Sequence, residues 1–370
     1  MIKVAIITLV GHNYGNRLQN YAVQSFISRY GIKTETIISD SFLNKKDNYS
    51  LKNNIKYLLS LIKNELLRTG VYRNRFSLFQ NKRTKKFIDY NNKYISFSKN
   101  KFSFRKKINY DYFIVGSDQV WNPFFGLNDF GLLDYIDEEE KKIAFSASIG
   151  VEEIPELMRN KYAKSISKYK SISLREDKAK EIVEELTGRK DVEVLVDPTM
   201  LLTSEEWDKV SRKPKQLDSI KEGKYILNYF LGELSKERKQ EIERIAKENN
   251  CNIINILDRT DPFYVCGPSE FLFLEKHAFL ICTDSFHSSV FAILYDRPFI
   301  IFDREQKGIE PMNSRIETLI SKFKLKDRKY NGESITKENL NHDYTEAYKI
   351  LEKERKKSDE FLKKALEINK

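Results

Sequence analysis

One pattern restricts this chain more than any other: a short apolar run, a polar turn and a helical stretch, repeated along both halves. The run Lys3–Leu9 is almost continuously apolar rather than alternating, as expected of a strand covered on both faces in a parallel sheet. The turn Gly11-His12-Asn13-Tyr14-Gly15-Asn16 and a helical pattern from Leu18 to Tyr30 follow it. Further strands are predicted at Lys33–Ser39, Tyr112–Gly116, Lys142–Ala147, Ser171–Leu174 and Glu193–Val196, with helices over Pro155–Lys168 and Asp177–Leu186. A second series starts at Tyr225–Phe230. It runs through helix Lys236–Asn249, strand Ile253–Leu257, helix Ser269–Lys276, strand Phe279–Thr283, helix Ser285–Tyr295 and strand Phe299–Phe302. Such alternation predicts an α/β protein of two Rossmann-like, doubly wound domains facing a cleft, with ligands at the carboxyl ends of the strands. The expected division is 1–203, carrying a basic helical insertion at 44–108, then 204–343, then a charged helix over 344–370. The stretch Ser204–Gly223, with Lys213-Pro214 and Glu222-Gly223, is the candidate linker.

Charge narrows the function classes. The net charge of +11 is concentrated: Asn44–Ile108 holds 18 Lys and Arg against 3 Asp and Glu, and the rest of the chain is slightly acidic. This argues for one basic segment with its own role rather than a general nucleic-acid coat. Inside it, Leu51, Ile55, Leu58, Leu59, Ile62 and Leu66 form one helix face. That face suits either packing on a neighbouring domain or lying on an anionic membrane surface. Phe76, Phe79, Phe87, Tyr90, Tyr94 and Phe97 alternate with basic residues as base-stacking platforms do, but no nucleic-acid motif accompanies them. The composition excludes a disordered chain, a collagen-like repeat and a membrane-embedded bundle. Cys251, Cys266 and Cys282 are too few and irregular for a disulfide framework or a zinc site, and the amino-terminal run lacks a cleavage site. A soluble cytoplasmic protein is expected.

Four constellations could carry chemistry. The first turn is not a GxGxxG dinucleotide fingerprint. Asn13 and Asn16 beside a helix start suit a polar or anionic ligand, or Asn16 is only an N-cap. In Gly116-Ser117-Asp118-Gln119-Val120-Trp121-Asn122-Pro123, a carboxylate, amides and an indole follow a strand end. This mixture holds sugar hydroxyls under an aromatic face, or else is a capped helix start with a buried Trp. Arg175, at the end of Ser171–Leu174, has a planar fork that fits a carboxylate or phosphate, with pairing to Glu176 or Asp177 as the structural alternative. His287 lies in the first turn after Thr283-Asp284-Ser285. There, helix N–H groups attract phosphate and an imidazole is suited to proton transfer. No His spacing suggests a metal.

Taken in order, these stretches resemble the polysaccharide pyruvyl transferase family. The resemblance rests on Asn13-Tyr14-Gly15-Asn16-Arg17-Leu18-Gln19-Asn20-Tyr21-Ala22, on Gly116–Pro123, and on Phe145-Ser146-Ala147-Ser148-Ile149-Gly150. It continues in Ser173-Leu174-Arg175-Glu176, in Asp197-Pro198-Thr199, and from Thr283-Asp284-Ser285-Phe286-His287 to Pro298. It implies a GT-B-like pair of domains and transfer of pyruvyl from phosphoenolpyruvate to two hydroxyls of a glycan sugar. The products would be a cyclic ketal and phosphate, with no cofactor. Carried over by motif, Arg175 and His287 line the donor site. The helix start Ser285–Ser288 is expected to add contacts to the donor anion, with His287 as the acid/base and Asp284 as its orienting partner. Asn13, Asn16, Asp118, Gln119 and Trp121 belong to the acceptor side. Some members carry an Arg two residues before the motif His. Ser285 stands there in this chain, so Arg297 or Arg304 is the expected basic replacement. A lipid-linked or cell-surface glycan acceptor would give 44–108 a role at the inner face of the membrane. The competing expectations are a GT-B glycosyltransferase using a nucleotide sugar and a non-catalytic glycan-binding protein.

Overall fold

The computed structural model describes residues 2–38, 71–98, 109–124, 126–127, 129–220, 224–305 and 314–368, of which 71–78 are described as helical backbone only. The apolar stripe Leu51–Leu66 lies outside the described residues.

The first half forms a six-stranded parallel sheet. Its elements are β1 (Lys3–Ile7), α1 (Tyr14–Ser28), β2 (Lys33–Thr36), α2 (Val71–Tyr94), β3 (Tyr112–Val115), β4 (Lys142–Ala147), α3 (Glu156–Ile166), β5 (Ser171–Leu174), α4 (Asp177–Thr187) and β6 (Val192–Val194). The strand order is β2-β1-β3-β4-β5-β6. All six residues of β4 are buried, and β1 is buried beyond Lys3, which is why these runs read as continuous rather than alternating. Gly188, in the left-handed region at φ 70°, terminates α4.

A 3-10 turn (Pro198–Leu201) and a short helix, α5 (Ser204–Asp208), lead to the second lobe. There β7 (Tyr225–Tyr229), α6 (Lys236–Glu248), β8 (Asn252–Asn255), α7 (Pro268–His277), β9 (Leu280–Thr283), α8 (Phe286–Leu294) and β10 (Phe299–Ile301) form a four-stranded parallel sheet ordered β10-β9-β7-β8. The helices that follow include α9 (Ser314–Lys322) and, after a short one at Lys337–Leu340, α10 (Thr345–Ala365). In each sheet the chain reverses its direction of growth beside the first strand, between β1 and β3 and between β7 and β9. Those are the crevices where open α/β sheets bind ligands.

The lobes share an apolar core. Leu18, Val23 and Phe87 belong to the same buried cluster as Leu227, Phe271, Ile281 and Phe291. The stretch expected as a linker is packed rather than loose. Trp207 is fully buried, its ring edge-on to Phe291 at 5.1 Å, and its Nε1 donates to the Thr199 carbonyl at 3.1 Å. Helix α2, the described part of the basic insertion, also crosses between lobes. Arg83 Nη1 donates to Tyr14 Oη (2.5 Å) and to the carbonyls of Tyr264 (2.9 Å) and Cys266 (3.3 Å), and Lys86 pairs with Glu270. Helix α10 returns to the first lobe. Phe361 stacks on Phe145, Tyr30 Oη donates to Asp359, and Arg355 donates to the carbonyls of Met200 and Leu202. No helix among the described residues is long and apolar enough to cross a membrane.

Candidate active site

The site is assembled from the carboxyl ends of β1, β3, β5 and β6 in one lobe and of β9 in the other. After β1, Asn13 rather than the expected Asn16 caps α1, accepting from Gly15 N at 2.8 Å. One turn on, Gln19 joins two loops. Its Nε2 donates to Thr8 Oγ1 (2.7 Å) and its Oε1 accepts from Ser117 N (3.1 Å). This holds the β1 and β3 loops together, so that Asn16 Nδ2 donates to Asp118 Oδ2. Asp118 sits at φ 72°, in the left-handed region, a backbone state that a non-glycine residue keeps only where its surroundings enforce it.

After β5, Arg175 and Glu176 are both buried. Glu176 Oε1 accepts from Ser148 Oγ (2.8 Å), Ile149 N (2.9 Å) and Gly150 N (3.0 Å). Arg175 Nη1 donates to Asp197 Oδ2 at 2.6 Å, and its Nη2 lies 3.5 Å from Asp118 Oδ1. Asp197, just past β6, is held on every side. Its Oδ1 accepts from Thr199 N and Oγ1, and its Oδ2 also accepts from Ser117 Oγ at 2.7 Å. Burial would push the carboxyls of Asp197 and Asp118 up, but Arg175 and His287 outweigh it, and both stay below the ordinary carboxylate range.

Helix α8 closes the site from the second lobe. All nine of its residues are buried, the polar His287, Ser288 and Ser289 included, so its first two side chains are carried into the interface. The Phe286 ring lies under the Arg175 guanidinium at 4.6 Å. His287 Nε2 is 3.8 Å from Asp197 Oδ2, the oxygen that Arg175 already holds. Burial pushes the imidazole below its ordinary value, with Asp197 and Asp118 opposing. The ring rests on Gly15, where a Cβ would stand 2.2 Å from His287 Nδ1. Close approach of an imidazole from the other lobe, rather than a special backbone angle, is what position 15 requires.

The hydrogen-bond balance of this cluster is one-sided. Arg175 Nε and Nη2, Arg315 Nε and His287 Nε2 are buried nitrogens without a hydrogen-bond partner. Carboxylate oxygens of Glu176, Asp118 and Asp197 lie only at 3.5 to 4.0 Å from the Arg175 and His287 nitrogens, and the one such oxygen without a hydrogen bond is Glu176 Oε2. Buried polar groups are normally satisfied, so the arrangement suits a ligand rich in acceptors, such as a small anion. Among the described residues no group of three His, Cys, Asp or Glu side chains is set to hold a metal ion.

Arg175, His287, Asn16 and Asp118 are therefore brought together, but other expected site residues are placed elsewhere. Asp284 does not orient His287. Its oxygens accept from Leu231 N and Gly232 N, both at 2.7 Å, and from Arg304 Nε at 3.3 Å, because the amides after β7 lie beside it. Ser288 turns inward to donate to Glu275 Oε1 at 2.6 Å, and burial pushes the Glu275 carboxyl well up. Ser285 is buried, and its N–H is taken by Thr283 Oγ1. Trp121 offers no face to a sugar. It is buried edge-on to Tyr169, with Nε1 donating to the Gly131 carbonyl at 2.9 Å. Gln119 packs tightly against Gly150. Of the expected basic replacements, Arg297 donates to the Tyr295 carbonyl at the far end of α8, and Arg304 is held by Asp284. Sequence reasoning did not single out Asp197, Glu176 or Arg315 as site residues. Asp197 carried the available signal of a carboxylate placed directly after a strand. Arg315 carried only its place on the same helix face as Thr318 and Leu319.

Two parallel-sheet lobes meeting at their switch points form the GT-B arrangement seen in sugar-nucleotide enzymes. The sequence matches the polysaccharide pyruvyl transferase family over residues 13–306, and the chain belongs to that family. Among solved structures it is similar to the UDP-GlcNAc 2-epimerase of Methanocaldococcus jannaschii in complex with UDP-GlcNAc and UDP (14% identity, TM-score 0.50, covering 100% of this chain and 99% of that one). It is also similar to the Neisseria meningitidis UDP-GlcNAc 2-epimerase bound to UDP-GlcNAc (12% identity, TM-score 0.50, covering 100% of both). At such identities the likeness is one of fold alone. No curated protein matches the sequence.

Proposed function

We infer that this protein transfers the pyruvyl group of phosphoenolpyruvate to two hydroxyls of a glycan sugar, forming a cyclic ketal and releasing phosphate. The observation that carries the reading is the meeting of Arg175 and His287, from opposite lobes, on one oxygen of Asp197, amid buried nitrogens that lack acceptors. The family match supports the same chemistry.

In this mechanism a bound anion raises the depressed imidazole pKa, and His287 takes up a proton. Nε2 delivers that proton to the methylene carbon of phosphoenolpyruvate, leaving the central carbon electrophilic. A sugar hydroxyl oxygen bonds to that carbon, the bond to the phosphate oxygen breaks, and the second hydroxyl closes the ketal. Of the two hydroxyl protons released, one restores His287 and the other leaves with phosphate, so the reaction balances without a further cofactor. Asp197 stays ionised and stabilises the imidazolium. Asn16 and Asp118 hold the acceptor hydroxyls from the first lobe. The reading places the reaction in the cytoplasm on a glycan or lipid-linked acceptor, with the basic stretch 44–108 toward an anionic leaflet.

Incubation with phosphoenolpyruvate and a panel of simple glycosides tests it. Phosphate release matched by ketal on the glycoside is the expected result. Nucleoside diphosphate release from a sugar nucleotide, with phosphoenolpyruvate inert, would assign the chain to the glycosyltransferase alternative. Binding of glycan without either product would leave only a glycan-binding role.

A further inference from the structure

One cation at this site makes no ion pair of its own among the described residues, although the carboxylates of Glu176 and Asp118 act on it from a distance. Arg315 opens α9, is 7% exposed, and its Nε has no hydrogen-bond partner. Among the described residues it makes no ion pair, whereas Arg175 is held by Asp197 and Arg304 by Asp284. One turn further along α9, Thr318 Oγ1 accepts from Asp177 N at 3.2 Å, which fixes that helix face against the junction of β5 and α4. Residues three apart share a helix face, so Arg315 lies over the same junction as Arg175 and Glu176. Its charge acts on His287 and Asp118. Burial, followed by the like charge of Arg175, pulls its pKa down to about 10. A guanidinium kept in such a place is costly unless an anion joins it.

We propose that Arg315 is a donor-anion ligand: its guanidinium takes one anionic end of a small phosphorylated carboxylate held between Arg175 and His287. The assignment rests on the phosphoenolpyruvate reading above, and it adds a residue from α9, outside the matched stretch 13–306, to the binding set. It predicts a division of labour. Arg175 is largely neutralised by Asp197, so Arg315 supplies the net attraction for the anion.

The test is equilibrium binding of phosphoenolpyruvate and, separately, of inorganic phosphate to wild-type protein and to Arg315→Gln, alongside the melting temperature of each without ligand. The expected result is a loss of affinity on the order of 10- to 100-fold in the variant, with a ligand-free melting temperature equal to or above wild type. Under turnover, the donor KM should rise while the acceptor KM holds. Unchanged affinity in the variant overturns the role of Arg315 and leaves the pyruvyl transfer reading intact. Wild-type protein that binds phosphate but not phosphoenolpyruvate overturns the donor reading, and the phosphate arm then decides Arg315. If neither anion binds wild type, both fall. Because Arg315→Gln could fail to fold, a crystal structure of wild type with phosphoenolpyruvate or phosphate gives an independent reading. An anion oxygen within hydrogen-bond distance of the Arg315 guanidinium supports the proposal, and an anion engaged by Arg175 and His287 alone overturns it.

Discussion

Three guanidinium groups buried where the lobes meet, Arg83 against Arg175 and Arg315, are treated in two opposite ways. Arg83, from the basic insertion, reaches three oxygens through one nitrogen and lies between the rings of Tyr14, Phe87 and Tyr264. Among the described residues Arg315 makes no ion pair and its Nε no hydrogen bond, and Arg175 keeps two nitrogens without hydrogen bonds beside its Asp197 contact. The first arrangement is complete as it stands and acts as a fastener. The second is complete only with a ligand. The same side chain, equally buried, thus serves cohesion in one region and recognition in the other, and the satisfaction of its donors separates the two.

The contrast can be strained experimentally, beginning where the largest change is expected. His287→Gln should lower phosphate release by ~10²–10⁴-fold, as for loss of a general acid/base, with little change in melting temperature. Near-wild-type turnover would remove the imidazole from the chemistry. Gly15→Ala puts a methyl group into the imidazole ring, and misplacement of that order costs roughly 10²-fold in turnover. Full activity in this variant would mean that the ring has room to move without consequence. Arg83→Met tests the opposite region. It should cost about 2 kcal/mol of stability in a denaturant titration while phosphoenolpyruvate affinity stays within about twofold. A variant that kept its stability but lost donor binding would erase the distinction between the two kinds of arginine.

The smallest effect is a proton. His287 has its folded pKa depressed by burial, so its neutral form favours the folded state. That contribution is present above the unfolded value of about 6.5 and is lost as pH falls through the lower folded pKa. Wild-type melting temperature should therefore decline below about pH 6.5 more steeply than that of His287→Gln. Near pH 7, phosphoenolpyruvate binding should take up a fraction of a proton, measurable by calorimetry in buffers of different ionisation enthalpy. Equal uptake by the glutamine variant would place the titrating group elsewhere.

Much of the fold was legible because both sheets are parallel and covered on both faces, which makes the central strands mostly apolar runs such as Val4–Ile7 or Leu280–Cys282. The positions of Arg175 and His287 were legible too, since a charged or titratable side chain directly after such a run has to lie at a strand's carboxyl end. Their partners were not. Asp197 meets His287 across 90 positions of sequence, and only the docking of the lobes sets that pair. Asp284 looked like the natural companion of the imidazole, yet the amides of Leu231 and Gly232 come from the neighbouring strand and take both its oxygens. Trp121 had the composition of a sugar platform, but the Gly131 carbonyl satisfies its indole N–H from within, and an indole so satisfied can be buried outright. Arg315 follows no strand and sits in no motif. Only the face of α9 that packs on α4 brings it into the site.

The return of α10 to the first lobe has a mechanical consequence. Among the described residues the polypeptide passes from lobe to lobe near Met200 and again along α10, and Arg355 bonds the second passage to the carbonyls of Met200 and Leu202 on the first. The lobes are thus tied by chain at two adjacent places, and α2 ties them again where Arg83 joins Tyr14 to the carbonyls of Tyr264 and Cys266, one residue from the Gly15 on which His287 rests.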